Sequence, residues 1–167
     1  MVDGVRARDL AQDLPTVRSE DPALTAARLI AERRLPGIAV VDADGRPVAV
    51  LPASQVLRFV VPGYVQEDPP LARVVDEAGA ERLCLQSLGG ARVGELLPAS
   101  RHRVELAAVD GDATVLECAA VMARLRSPLL VVVEHGKVRG LLTASHLLEV
   151  LLPAGDADPD GQPAKTR

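Results

Sequence analysis

Ser145 and His146 are neighbours, a hydroxyl beside a potential general base. A serine nucleophile needs a base within hydrogen-bond reach and an acid that orients that base. Consecutive residues on a helix project in different directions, so this pair does not supply the arrangement. No Gly-x-Ser-x-Gly elbow surrounds Ser54, Ser100 or Ser145. His102, His135 and His146 have no metal-ligand spacing with Cys84 or Cys118. No Gly-x-x-x-x-Gly-Lys stretch is present to cradle phosphate. The basic loop Arg101-His102-Arg103 could meet a polyphosphate or could simply be solvated. These residues point away from independent catalysis, and no catalytic or metal-ligating set is assigned.

The composition narrows the remaining classes. The chain has 167 residues, 48% hydrophobic and 25% charged, with a formal net charge of −4. That length suits one domain or two small fused units. A compact chain of this size buries roughly 70% of its unfolded surface and needs no metal or disulfide staple. Nucleic acid is not an expected partner. There is no excess of positive charge to neutralise phosphates, and Phe59 and Tyr64 are the only aromatics for base stacking. Cys84 and Cys118 sit in apolar helical patterns and read as buried reduced thiols. No run reaches the roughly 18 apolar residues of a membrane span, and Met1 to Arg6 lacks the apolar core of a signal peptide. A cytoplasmic protein is expected.

The elements that would position any site come from an internal repeat. Adding 91 to a residue number carries Asp21 to Asp112, Val40-Val41 to Val131-Val132, Gly45 to Gly136, Leu51 to Leu142, Ala53-Ser54 to Ala144-Ser145 and Pro62 to Pro153, with no gap expected. Each copy begins with a helix, capped by Asp21 or Asp112 and carrying an apolar stripe: Leu24, Ala27, Ala31 and Leu35 in one, Val115, Cys118, Ala119, Met122 and Leu125 in the other. Each helix ends near a proline, Pro36 or Pro128. The runs Ile38 to Val41 and Leu129 to Val133 read as strands covered on both faces. Asp44-Gly45 and His135-Gly136 read as hairpin turns, because glycine takes a positive φ without steric cost. Return strands Val48 to Leu51 and Val138 to Leu142 lead to closing helices Ser54 to Val61 and Ser145 to Leu152. Extended segments at Thr16-Val17 and Val104 to Val109 precede the copies. The unit is β-α-β-β-α, used twice, an α/β (α+β) fold in which neither copy can bury its sheet alone.

Between the copies, Pro69-Pro70 opens a helix with Leu71, Val74, Val75 and Ala78 on one face, and Glu81 to Leu88 resumes a helical pattern that Gly89-Gly90 ends. Apolar periodicity is not a tether's composition, so this segment is expected to fold against the body and offer a partner-facing surface. The last residues have no apolar stripe and read as a disordered tail.

Two β-α-β-β-α copies with the order proline, apolar strand, acidic-glycine turn, apolar strand, serine, apolar helix resemble a tandem pair of cystathionine-β-synthase (CBS) domains, a Bateman module. Residues 35–45 and 140–148 carry the resemblance best. The boundaries expected are 5–62 for the first repeat, 63–92 for a helical linker, 93–153 for the second repeat and 154–167 for the tail, a stand-alone pair. The resemblance implies a non-catalytic regulatory module that senses an adenosine-containing ligand (AMP, ADP, ATP or S-adenosylmethionine) in a cleft and modulates a partner protein such as a transporter or an enzyme. The alternative is a ligand-free interaction scaffold. It also implies a homodimer formed through helices, consistent with apolar residues on more than one face of the closing helices.

The family's ligand motif runs Gly, two apolar residues, Thr or Ser, two variable residues, Asp. Its hydroxyl can bond a phosphate, and its carboxylate can accept from both ribose hydroxyls. In the second copy Gly140 and Thr143 fit, and His146 stands where the Asp belongs. In the first copy Ala49, Pro52 and Gln55 occupy the three positions. The better ligand cleft is therefore expected in the second copy, with Gly140, Thr143 and His146 as contacts and the strand beginning at Leu129 as an apolar wall. Thr143 and Ser145 also fit as caps of the last helix, and His146 as an exposed helix residue without a special role.

Overall fold

A computed structural model describes residues 4–98 and 105–155. The loop Arg101-His102-Arg103, Val104 and residues 156–167 of the expected tail lie outside the described residues. Helix α1 (Ala7–Leu10) leads into strand β1 (Thr16–Arg18), helix α2 (Ala23–Arg33), strands β2 (Gly37–Val41) and β3 (Pro47–Pro52) and helix α3 (Ala53–Val60). Helices α4 (Gly63–Glu67) and α5 (Glu77–Gly89), with a 3-10 helix at Pro69–Val74 between them, form the connection. Helix α6 (Val93–Leu96) then precedes β4 (Ala108–Asp110), α7 (Val115–Leu125), β5 (Leu129–Glu134), β6 (Lys137–Thr143) and α8 (Ala144–Leu151). Among the described residues no helix is long and apolar enough to cross a membrane.

Each repeat builds a three-stranded sheet. Strand order is β1-β2-β3 in one and β4-β5-β6 in the other. The outer pairs β1/β2 and β4/β5 are parallel, and the hairpins β2/β3 and β5/β6 are antiparallel. A parallel pair needs a crossover, and α2 and α7 supply it. The central strands have no solvated face: β2 is buried throughout, and β5 from Leu129 to Val132. Their unbroken β-branched and aliphatic runs are what such strands require.

The repeat contains a gap. From β1 to β2 the structural offset to the second copy is 92 residues, as in α2 to α7 and in the matched left-handed ends Arg34 and Arg126. From β3 onward it is 91. The difference lies in the turns. His135-Gly136 is a tight two-residue turn with both residues at positive φ. The first hairpin pairs Val41 with Pro47 across a loop one residue longer. There the Asp42 carboxylate accepts from the N–H groups of Asp44 and Arg46, both at 2.9 Å.

The helix caps also differ from expectation. Pro22, not Asp21, is the N-cap of α2, and the Asp21 carboxylate accepts instead from the Arg18 N–H at 2.8 Å. Thr114, not Asp112, caps α7. Its hydroxyl accepts from the Glu117 N–H at 3.2 Å, and the Glu117 carboxylate accepts from the Thr114 N–H at 2.6 Å, a reciprocal cap. Asp112 pairs with Arg8.

Two short helices that the sequence did not reveal join the repeats. α1 precedes the first repeat but packs into the second. Ala7 and Leu10 enter the core formed by Cys118, Met122, Leu142 and Leu147, and the N–H groups of Ala7 and Arg8 bond the carbonyls of Ala113 and Gly111 at 2.8 and 3.0 Å. α6 does the converse. Val93 and Leu96 enter the core of Ala23, Ala26, Ile30 and Leu51, and the N–H groups of Val93 and Gly94 bond the carbonyls of Asp21 and Ser19, each at 2.9 Å. Matching arginines secure both: Arg6 donates to the Asp112 carbonyl, Arg92 to that of Glu20. A third core lies between the sheets, where Ala39 meets Leu129, Val131 and Leu141.

The connection only partly follows expectation. Pro69–Val74 is a 3-10 helix rather than the start of an α-helix, and α5 begins at Glu77, capped by the Asp76 carboxylate on the Gly79 N–H at 2.8 Å. Leu88 and Cys84 pack against the first core. Leu71, Val74 and Val75 do not; Val74 is 91% exposed.

Replacing Thr114 by alanine should cost about 1 kcal/mol of stability by urea denaturation. Asp112→Ala, which removes only an exposed ion pair, should stay within about 0.5 kcal/mol. The Thr114 backbone and hydroxyl bonds hold the Glu117 carboxyl below its ordinary pKa. The stabilisation this gives is complete above the unfolded glutamate value of about 4.3 and disappears as pH falls through the lowered native value. An NMR titration of Glu117 reads it directly.

Candidate ligand-binding cleft

The two repeats pack through the faces of their sheets, and a cavity of about 360 Å³ lies between them. The return strand β3 supplies one wall, Val48 to Pro52, with Gln55 from the first turn of α3. The second repeat supplies the other: Glu105, Leu106 and Ala107 ahead of β4, and Leu125, Arg126 and Ser127 at the end of α7. Leu97 and Pro98, just after α6, close it. None of these residues from the second repeat was expected as a ligand contact from the sequence. The signal that could have found them is the arginine two residues before each proline, Arg34 before Pro36 and Arg126 before Pro128. Both stand in the left-handed conformation, at φ 53° and 50°, where the helix turns into a strand.

Several polar groups of this cavity already have protein partners. The Gln55 amide donates to the Leu96 carbonyl at 3.1 Å. The Ser127 hydroxyl donates to the Leu129 carbonyl at 2.6 Å. Glu105 receives two bonds from Arg124, at 2.6 and 2.9 Å. That fork holds the Glu105 carboxyl below its ordinary pKa against a smaller opposing desolvation, and raises that of Arg124. Arg126 lines the cavity with no ion-pair partner among the described residues.

The residues expected to form the second cleft are placed differently. Thr143 is the N-cap of α8, and its hydroxyl accepts from the His146 N–H at 3.2 Å. Ser145, expected to start that helix, lies 3.2 Å from the same hydroxyl and is not the cap. The His146 ring is 3.2 Å from the Glu149 carboxylate. Leu129 is fully buried between the sheets, so it is an interior residue rather than an open wall. At Gly140 the close approach is made by the chain itself. A Cβ there would lie 2.8 Å from the Ala11 Cβ and 2.9 Å from the Gln12 carbonyl oxygen. Gln12 and Leu141 exchange two backbone bonds, at 2.8 and 2.9 Å, across this position.

Proline explains why the first cleft lacks the same bridge. Counting from the starts of α1 and α6, Pro98 is the counterpart of Gln12, and Val50 is the counterpart of Leu141. Proline has no N–H to donate, so Pro98 cannot make Gln12's bond. It lines the cavity together with Val50. The sequence comparison of the motif positions favoured the second copy; the cavity formed by the described residues lies at the first.

A model of the CBS domain matches residues 7–62 and 93–153. A CBS domain-containing protein of unknown function from Kribbella flavida DSM 17836 is 49% identical, with 89% of this chain and 99% of that one covered at a TM-score of 0.74. The CBS domain of a CBS domain-containing membrane protein from Sphaerobacter thermophilus shares the fold at 24% identity, with 90% of each chain covered and a TM-score of 0.66. So does the CBS-pair protein CBSX2 from Arabidopsis thaliana, at 18% identity, with 89% and 94% covered and a TM-score of 0.66. CBSX2 has also been solved in complex with AMP; that structure is 19% identical, with 89% and 96% covered and a TM-score of 0.61. No curated protein matches. Two matched segments, two like-ordered sheets and a 49% identical relative have one meaning: the chain belongs to the CBS-domain family and is a tandem pair of its domains.

Proposed function

We propose that this CBS pair is a non-catalytic regulatory module, that the cavity between β3 and the segment before β4 is its ligand site, and that a partner protein reads the occupied state. The observation that carries this reading is the origin of the walls. A ligand there touches β3 and α3 of one repeat and the end of α7 of the other, so its binding energy depends on how the repeats are set against each other. A ligand shifts a conformational equilibrium only through such a difference. The AMP complex of CBSX2 supports small-ligand binding in this architecture. The repeats are 5–62 and 93–153, joined by 63–92, with α1 and α6 packed crosswise.

The partner surface is helical. α3 and α8 expose Leu57, Phe59, Leu148, Val150 and Leu151, and Leu152 at the end of α8 is exposed too. A second copy related by a two-fold axis would cover such apolar faces. The connection adds Tyr64, Leu71 and Val74, which suit a different protein, a transporter or enzyme under control. Two thiols without disulfide partners fit the reducing cytoplasm. A ligand-free scaffold is the second reading, favoured by Gln55 and His146 standing where the family has a ribose-binding carboxylate.

The ligand reading is checked by the melting temperature of the full chain with AMP, ADP, ATP, S-adenosylmethionine and small organic acids. A ligand that binds only the native state at 100 times its Kd stabilises by about 2.7 kcal/mol; no shift with any of them would leave the scaffold. Thr143→Ala should lower stability by about 1 kcal/mol as a lost cap and leave ligand affinity unchanged. A loss of affinity at unchanged stability would return the site to the second cleft. Leu148→Glu with Leu152→Glu should convert a dimeric mass to a monomeric one in light scattering.

A further inference from the structure

We propose that the cavity takes a compact, largely apolar monocarboxylate rather than a nucleotide, with Arg126 as the partner of the carboxylate. The proposal rests on the ligand-site reading above and names the ligand class. About 360 Å³ is near the small end of ligand sites, and the walls are mostly aliphatic: Val50, Leu51, Leu97, Leu106 and Leu125. An apolar body fits there without stranding polar groups.

Among the described residues a nucleotide finds few of the groups it needs. Where the motif has its ribose-binding carboxylate, Gln55 offers a single amide oxygen, and one of its two N–H groups already bonds the Leu96 carbonyl. A phosphate requires several donors. Pro52 stands where the motif has a hydroxyl, and the Ser127 hydroxyl is spent on the Leu129 carbonyl. Glu105 would repel a doubly charged phosphate, and stripping Arg124 from it would leave a carboxylate unpaired beside the ligand.

The charge count favours one negative group. Among the described residues at the cavity, Arg124 balances Glu105 and Arg126 remains as the single positive charge. Its position is set by the backbone. The Arg126 N–H bonds the Ala123 carbonyl at 3.3 Å and the Ser127 N–H bonds that of Met122 at 3.1 Å, holding the residue in the left-handed conformation. Arg126 is exposed while Ala107 is buried. A carboxylate at the solvent edge with an apolar tail directed inward matches that gradient. A planar guanidinium binds a carboxylate through two parallel bonds.

The test uses the full chain and calorimetry with decanoate, 1-decanol and AMP, each below self-association. Decanoate should bind one per chain, about tenfold more tightly than 1-decanol, as expected for a charge-assisted pair. Arg126→Asn, which suits the left-handed conformation and whose fold circular dichroism verifies, should weaken decanoate about tenfold and leave 1-decanol unchanged. Arg126→Lys, which keeps the charge but not the two-bond fork, should fall between the unaltered chain and Arg126→Asn. Tight AMP binding without decanoate binding would overturn the ligand class and leave the ligand-site reading standing. Failure of all three probes would overturn the monocarboxylate, and with no shift in the nucleotide series the site itself. Decanoate binding unaffected by Arg126→Asn, or at several molecules per chain, would place it on the exposed helices and overturn the proposal.

Discussion

Each three-stranded sheet here has two faces to bury and too few residues of its own to bury them. Helices α2 and α3, or α7 and α8, cover one face; the opposite repeat covers the other through Ala39, Leu129, Val131 and Leu141. The crossed helices α1 and α6 complete the arrangement by filling each core from the neighbouring repeat's leading segment. Neither repeat is therefore complete when the other is absent. Hydrophobic burial is the dominant favourable term in folding, and here much of it is shared across the junction.

The cleft follows from that sharing. Packing of the two sheets against each other sets the return strands β3 and β6 beside the segments that follow α6 and α1. One segment carries Gln12, whose N–H and carbonyl both bond Leu141. The other carries Pro98, which has no N–H to offer. A single residue type thus separates a space bridged by backbone from one lined by side chains. Gly140 and Ala49 show the same division. Glycine stands where the chain runs within 3 Å of its Cα substituent position, and alanine stands at the cavity wall.

Charge is arranged with similar economy. Glu105 is held by Arg124, Asp112 by Arg8, and Glu134 by Arg8 and Arg139. Exposed pairs of this kind add little to stability; of them only Glu105–Arg124 adjoins the cavity that Arg126 lines. No polar or charged residue is buried among the described residues, so the charged groups of the cleft, Glu105 and Arg126, stand at its exposed margin.

The order of elements was legible in the residues because hydrophobic period and turn chemistry are local. Ile38 to Val41 and Leu129 to Val133 could only be strands covered twice, and Gly45 and Gly136 marked the turns that return them. The apolar stripes of α2 and α7 were equally plain. The caps were less so, since Asp112 and Thr114 both have side chains able to cap α7, and geometry alone chooses between them. The one-residue difference between the hairpins was hidden by residues that match on both sides of it. Helices α1 and α6 have four residues each, too few to show a period. Their crossed packing is a long-range contact between residues about a hundred positions apart in one case and seventy in the other, which no local pattern encodes. The site divides the same way. The motif positions Gly140, Thr143, Ala49, Pro52 and Gln55 could be read in order along the chain. Which space is bridged depended on Gln12 and Pro98, outside the motif, and Arg126 reaches the cavity only because the opposite repeat is folded against it.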